Sequence, residues 1–374
     1  MKVNSEIKQL NRIRTLQYIL NHRSVSRHEI AADLGFSMPT VLQNVTELIE
    51  AGFICESGKY GSTGGRKATV LSIQEGKHCV VGVEVSKQHL CLVMADMSRR
   101  ILDMVQHELP FQNTLEYYVK LGYLVQRFID KNKVGAGGAY TLMGVGFSLP
   151  GILDLNQGML VKSHTLEVSN VSLLQFSRSI PYDTCFDNDA NAAAYAEVED
   201  EQQNTIYLSL SDTVGGAMYL NGNLYRGDNY KGAEFGHMVL VPNGRRCYCG
   251  KKGCLDAYCS AKVLHQNAPL GLSQFFERLQ RGAPEAVGLW ETYLNNLALA
   301  VSNLRMAYDC KIILGGDVGG NMPGYTYKFE EKLREYNNFD YDTSYIQLGK
   351  YQSGSAAIGA AQLMSKQYIA KLRF

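Results

Sequence analysis

A chain of 374 residues is too long for one small core and points to two or three domains. Its formal net charge of +1 excludes a globally basic nucleic-acid binder, while leaving room for a basic patch within one domain. No run approaches the ~18 consecutive apolar residues of a membrane span, the start with Lys2, Glu6 and Lys8 is no secretory signal, and nine scattered cysteines fit a reducing compartment. The expectation is a cytoplasmic protein with no membrane partner.

In chain order, Ile7, Leu10, Ile13, Leu16, Ile19 and Leu20 recur at helical spacing and predict an amphipathic helix over 5–21. Ser26 with Glu29 three residues on is a capping box that opens a short helix, and Gly35 stops it. Ser37 caps a third helix with Pro39 in its first turn and Val41, Val45, Leu48 and Ile49 inward. Two helices joined by a glycine-containing turn are the helix-turn-helix pattern. Strands at 53–56 and 68–73 flank the cationic loop 57–67, which reads as a wing. Up to Val70 there are nine Lys or Arg against six Asp or Glu, so this segment is basic while the whole chain is nearly neutral. Ser37, Thr40, Gln43 and Asn44 offer hydroxyl and amide groups for phosphate and base-edge contacts in a major groove. Arg66, followed by Lys67, can enter a minor groove. Operator DNA is the expected partner, bound by a dimer on a two-fold site.

From Cys79 the texture becomes α/β. Strands are expected at 79–86, 90–96 and 142–148, with a helix over 118–129 between the last two. A second strand–strand–helix series follows at 204–210, 216–220 and 294–308, and Ile312 opens a strand that enters a glycine turn. The repetition predicts two α/β lobes across a cleft, where ligands bind. Pro150-Gly151 ends one strand at that cleft. Asn188, Asp189 and Asn191 start a helix over 192–199, a place where Asp189 also suits plain N-capping.

His237, Cys247, Cys249 and Cys254 then supply one imidazole and three thiols, a Cys-x-Cys pair with a third Cys five residues later. These four fit a closed tetrahedral zinc site, one Zn2+ per chain with no open position; the alternative is a run of free thiols. Such a metal would fix Glu234 and Asp256 beside each other. Amides and carboxylates converging on one pocket favour a neutral polyol over a cation, since amide donors are useless to a cation.

Together, Ser26-Arg27-x-Glu29-Ile30-Ala31, Gly64-Gly65-Arg66, Pro150-Gly151, Asn188-Asp189-Ala190-Asn191, Gly232-Ala-Glu234-Phe-Gly-His237, Cys247-x-Cys249-Gly-x-x-Gly-Cys254-Leu and Leu314-Gly315-Gly316 resemble the ROK family (repressors, open reading frames and sugar kinases), in its branch of xylose and N-acetylglucosamine repressors. The resemblance covers almost the whole chain. It implies an N-terminal winged helix-turn-helix over 1–74 followed by a two-lobed actin-like ATPase (ribonuclease H-like) sugar-kinase fold. The first lobe would span 75–190, with 350–374 returning to it, and the second 191–349 with the zinc site and oligomer contacts. In the family the position of Asp189 is the catalytic base, those of Asn188, Glu234, His237 and Asp256 bind the sugar, and the zinc ligands brace that wall. Asp256 stands where the family usually has Glu.

Kinases of this fold hold ATP phosphates on two glycine-rich turns. The family's Asp-x-Gly-Gly-Thr is here Glu84-Val85-Ser86-Lys87-Gln88, and its Gly-Thr-Gly-x-Gly-Gly is Ser211-Asp212-Thr213-Val214-Gly215-Gly216. Phosphoryl transfer is mostly positioning and electrostatics, so loss of these turns predicts loss of the kinase, with Asp189 kept as a hydroxyl acceptor. The expected function is a sugar-responsive transcriptional repressor, a homodimer or dimer of dimers, with a monosaccharide or sugar phosphate as effector. A bifunctional sugar kinase with a DNA-binding domain is the alternative, and a cleft that answers to a protein partner the third possibility.

Overall fold

The computed structural model describes residues 2–22, 24–59, 69–134, 140–199, 202–265, 271–336, 339 and 342–372. At the N-terminus α1 (Lys2–His22), β1 (Ser24–Val25), α2 (Arg27–Leu34), α3 (Met38–Glu50), β2 (Ile54–Lys59) and β3 (Thr69–Ile73) follow one another. The local signals explain these boundaries. Ser26 accepts from the Glu29 N–H while Glu29 accepts from the Ser26 N–H, completing the capping box at α2. Gly35 leaves α2 in the left-handed conformation at φ 65°, and Ser37 caps α3. The three strands form an antiparallel sheet in the order β1-β3-β2, so three helices and a small sheet make a winged helix. Ile7 and Leu10, expected to face inward, are exposed at the free end of α1, while Ile13, Leu16 and Ile19 are buried.

The first large sheet contains β4 (His78–Val85), β5 (His89–Asp96), β6 (Ile101–Glu108), β7 (Thr141–Leu149) and, after the small sheet of β8 (Ile152–Asp154), β9 (Met159–Ser163) and β10 (Val168–Ser172), β11 (Thr184–Asn188). Its order is β11-β7-β4-β5-β6, with β4–β6 antiparallel and β7 and β11 added in parallel. The second large sheet repeats the plan. β12 (Thr205–Leu210), β13 (Val214–Leu220) and β14 (Asn223–Leu224) are antiparallel, and β15 (Lys311–Gly315) and β16 (Ile346–Leu348) join in parallel, in the order β14-β13-β12-β15-β16. Strand β6, the β8–β10 sheet and β16 gave no distinct signal in the sequence.

Of the helices that cover these sheets, α4 (Leu115–Lys131) packs on the first and α6 (Asp189–Glu197) follows the four-residue α5 (Leu174–Ser177) and strand β11. Across the second sheet lie α7 (Asp256–Cys259), α8 (Ala261–His265), α9 (Gly271–Gln280), α10 (Pro284–Tyr308), α11 (Gly316–Gly319) and α12 (Thr326–Tyr336), with Trp290 stacked on Tyr293 at 5.3 Å in their core. Helix α13 (Ser355–Lys371) returns to the first sheet. It sits unusually deep because the contact is built of small residues. A Cβ on Gly82 of β4 would meet the Ala357 carbonyl oxygen at 1.9 Å, and one on Gly146 of β7 the Ala360 oxygen at 2.0 Å. On its other side Gly359 meets α6, where a Cβ would fall 1.6 Å from the Ala192 oxygen.

The winged helix is not a separate bead. Ile13, Leu16, Val41, Val45 and Leu48 share one continuous apolar core with Val80, Ala95, Met143, Leu363, Met364 and Ile369 of the first sheet and α13. The Gln9 side chain also donates to the Leu372 carbonyl at 2.8 Å.

Gly359→Ala is expected to destabilise the protein by on the order of 1–3 kcal/mol, the usual cost of forcing an extra carbon into a packed core. Thermal unfolding checks this; an unchanged midpoint would mean that α13 and α6 have room between them.

Candidate functional site

The cleft is organised by a buried carboxylate. In β11 the side chains alternate between faces, and Asp187 points inward with 1% exposure. A charge so placed needs partners. Arg226, which follows β14 of the second sheet, donates to both its oxygens at 2.7 and 2.5 Å, and Asn191 Nδ2 donates to Oδ1 at 3.0 Å. This bidentate pair ties the two sheets together beside the pocket. Asn188, and not Asp189, is the N-cap of α6: its Oδ1 accepts from the N–H groups of Ala190 and Asn191 at 2.9 and 3.2 Å. Its amide nitrogen donates to the Gly151 carbonyl at 2.9 Å. With both ends committed, the Asn188 side chain has a fixed orientation.

Asn188, Asn191, Gly151, Gly216, Tyr230 and Glu234 line the pocket together with Asp187 and Arg226. Glu234 precedes the single turn Phe235–His237, and burial raises its pKa. Asp189 is pushed up to about 6, by burial first and also by the Glu234 carboxylate, against the hydrogen bond from the Ala190 N–H. Asp256 is 5% exposed and accepts from the Val214 N–H at 2.7 Å, so one of its oxygens is held by the protein itself.

His237, Cys247, Cys249 and Cys254 come together, with one ligand atom of each within 4.8 Å of the others. His237 Nδ1 lies 3.8 Å from Cys247 Sγ, and Cys249 Sγ lies 3.8 Å from Cys254 Sγ. A tetrahedral ion with metal–sulfur bonds of ~2.3 Å would have ligand–ligand edges of ~3.8 Å, so these residues fit a closed metal site. His237 Nε2 is 3.3 Å from the Tyr248 hydroxyl.

The end of β4 and the turn between β12 and β13 gather acids. Glu84 at the end of β4 is raised to about 7, by desolvation first and then by the charges of Asp189 and Asp317. Asp212 pairs with His265 at 3.2 Å. The Asp317 N–H donates to Ser211 Oγ at 3.2 Å.

The recognition-helix residues divide. Gln43 is exposed and donates to Glu47 at 2.9 Å, while Ser37 and Thr40 share the cap of α3. Asn44 does not face outward: it is 4% exposed and donates to Thr15 of α1 at 3.0 Å. It braces two helices, and the helical period places it one step past the outer face. Leu42 and Thr46 take the exposed positions instead. Arg66 and Lys67 lie outside the described residues. Sequence reasoning missed Asp187, Arg226, Tyr230 and Tyr248. Only Asp187 had a local signal, as an acid at an inward position of an apolar strand.

The two repeated sheets facing a cleft, behind a winged helix, define a class that comparisons with known proteins make specific. The sequence profile of the ROK family matches residues 80–367, and the chain belongs to that family. It is 28% identical over 265 residues to the xylose repressor of Bacillus subtilis, covering 69% of this chain and 67% of that protein. It is 27% identical over 278 residues to the N-acetylglucosamine repressor of Escherichia coli O157:H7, covering 72% and 67%. Among solved structures, a ROK transcriptional regulator described as a homologue of the E. coli MLC protein superposes with a TM-score of 0.76 over 97% of both chains at 19% identity. The ROK hexokinase of Thermus thermophilus gives 0.62 at 25% identity, over 77% of this chain and 99% of its own. The fold is therefore the actin-like two-lobed one with a helix-turn-helix head, and among the described residues no helix is long and apolar enough to cross a membrane.

The raised Glu84 has a stability consequence. Its folded pKa of about 7 lies above the ordinary 4.5, so folding favours the protonated form. Its ionisation therefore costs stability progressively as pH rises from about 4.5 to 7, and costs most above 7. Glu84→Gln is expected to stabilise the protein at pH 8 by on the order of 1 kcal/mol, after discounting for solvent screening, and to make no difference below pH ~4. Thermal unfolding across this range checks the slope; a benefit independent of pH would exclude the assigned cause.

Proposed function

We propose that this ROK chain is a cytoplasmic sugar-responsive transcriptional repressor. It binds operator DNA through the winged helix as a dimer or dimer of dimers, and takes a monosaccharide or its phosphate in the cleft. One observation carries the reading. Asn188, its amide held at both ends, and Glu234 line the pocket with Asp189 beside them, while the adjacent corner that would have to hold ATP carries Glu84, Asp212 and Asp317. Those carboxylates repel a triphosphate, so a hydroxyl-bearing ligand is favoured where a nucleotide is not. Asp189 then accepts from a ligand hydroxyl without deprotonating it for transfer. Gln43 and Ser37 of α3, with Arg66 and Lys67 of the wing, are the proposed DNA contacts. The likeness to a hexokinase supports the second reading, a kinase with an attached DNA-binding head.

A structural Zn2+ on His237, Cys247, Cys249 and Cys254 supplies no chemistry to a bound sugar; it fixes the turn that carries Glu234 and orients the His237 ring. Purified protein should contain about one zinc per chain, and Cys249→Ser should lower both zinc content and unfolding temperature. Full zinc occupancy in that variant would remove Cys249 from the ligand set.

A thermal-shift screen of common monosaccharides and their phosphates should find a ligand that raises stability by an amount set by its affinity and concentration. Asp189→Ala should abolish that response while zinc content and operator affinity persist. If no such compound shifts the protein, the effector reading fails, and turnover of ATP on any of the sugars would make it a kinase.

A further inference from the structure

Tyr248 lies between two of the clustered cysteines and is used by nothing described so far. Its backbone is firmly placed: the Cys247 N–H donates to the Lys251 carbonyl at 2.9 Å and the Gly250 N–H to the Cys247 carbonyl at 3.0 Å. The side chain is 47% exposed and lies beside His237, three residues along from the pocket-lining Glu234. Its ring meets His237 edge-on at 5.3 Å and 67°, and His164 at 5.7 Å and 65°. His164 follows β9 on the first-lobe side, so this one ring touches both walls.

The hydrogen-bond pattern is more telling than the packing. With Nδ1 of His237 turned toward Cys247 and the metal position, a neutral imidazole must carry its proton on Nε2 and donate there. Tyr248 Oη, at 3.3 Å, is the acceptor. A group that accepts from His237 is what a sugar hydroxyl would be at this place.

We propose that Tyr248 is the gate and a specificity-determining residue of the cleft: its phenol occupies the hydroxyl position on His237, and a ligand enters by turning it out and putting a neutral hydroxyl there. The proposal rests on the sugar-binding reading of the same cleft and goes beyond it, because the ligand must displace the phenol as the acceptor of the His237 Nε2–H. The gate moves by side-chain rotation alone on the braced loop, so opening need not disturb the metal cluster. His164 holds the closed position from the opposite wall.

The test uses the full-length zinc-loaded protein labelled with 15N-histidine, with D-xylose, D-glucose and N-acetyl-D-glucosamine as probes. Tyr248→Phe keeps the ring and removes the competing hydroxyl. The His237 Nε2–H resonance should shift and exchange faster with water, and the sugar that binds should do so about fivefold more tightly, the size of one neutral hydrogen bond. His164→Ala, which removes only the opposing ring, should move both readouts part of the way; it carries the test if the first variant does not fold. An unchanged His237 resonance in the folded variant overturns the gate. So does weaker sugar binding, which would make Tyr248 a ligand contact and not a competitor. A shifted resonance with no sugar bound by either form supports the gate and removes the monosaccharide reading.

Discussion

The close seating of α13 is the constraint on which the rest of the molecule depends. Gly82 and Gly146 let the helix lie directly on the backbone of β4 and β7, and Gly359 lets α6 lie directly on the helix. Interiors packed at this density do not deform gradually, so displacement of one element is passed to the next. Helix α6 begins at Asn188 and Asp189, Glu84 is the penultimate residue of β4, and the C-terminal part of α13 enters the core of the winged helix. The pocket floor, the acidic corner and the winged-helix head thus share one rigid neighbour. Substituting a larger residue at any of the three glycines would separate elements that the site requires in register.

Electrostatics then decides what the cleft accepts. Asp187 is the one acid of the site with a full complement of cationic and amide partners. The other acids meet little positive charge, and desolvation pushes the carboxyls of Glu84, Asp189, Glu234 and Asp256 upward. Carboxyl groups with so few protein partners keep oxygens free to accept hydrogen bonds from a ligand. The bidentate Arg226–Asp187 pair is worth more in placing the lobes than in net stability, because desolvating both groups offsets much of their attraction.

Much of this was legible in the sequence where the cause is local. Caps, glycine stops and helical periodicity placed α2 and α3 within a residue, because each signal acts on neighbours in the chain. The His–Cys set was equally readable, since a ligand spacing is a short-range constraint. What escaped depends on distant partners. Asn44 has the residue type of a groove-reading amide, yet Thr15 of another helix draws it inward. Arg226 has no meaning until Asp187, thirty-nine positions earlier, is brought opposite to it. Tyr248 looked like a spacer between two thiols, and only the fold puts His164 and His237 against its ring. Strand β6 is an edge strand without a fully buried residue, so it carries no clear apolar run or alternation to read.

The same packing offers a route from cleft to DNA in the proposed regulator. Where α3 ends, Phe53 stacks on His78 at 4.4 Å and 13°, and the Gln74 N–H donates to the Phe53 carbonyl at 2.9 Å. His78 begins β4, the strand whose penultimate residue, Glu84, lies near Asp189. One strand therefore has the recognition helix at its first residue and the acidic corner near its last. A ligand shifts such a system only through a difference in its affinity for two arrangements of the lobes. The Arg226–Asp187 pair and the Tyr248–His164 contact are the links that cross between the lobes at the pocket itself, so they are where that difference can arise. Strand β4 and helix α13, rigid and shared with the head, are placed to convert it into a change at α3, which makes the distance between ligand and DNA a matter of two packed elements and not of a flexible linker.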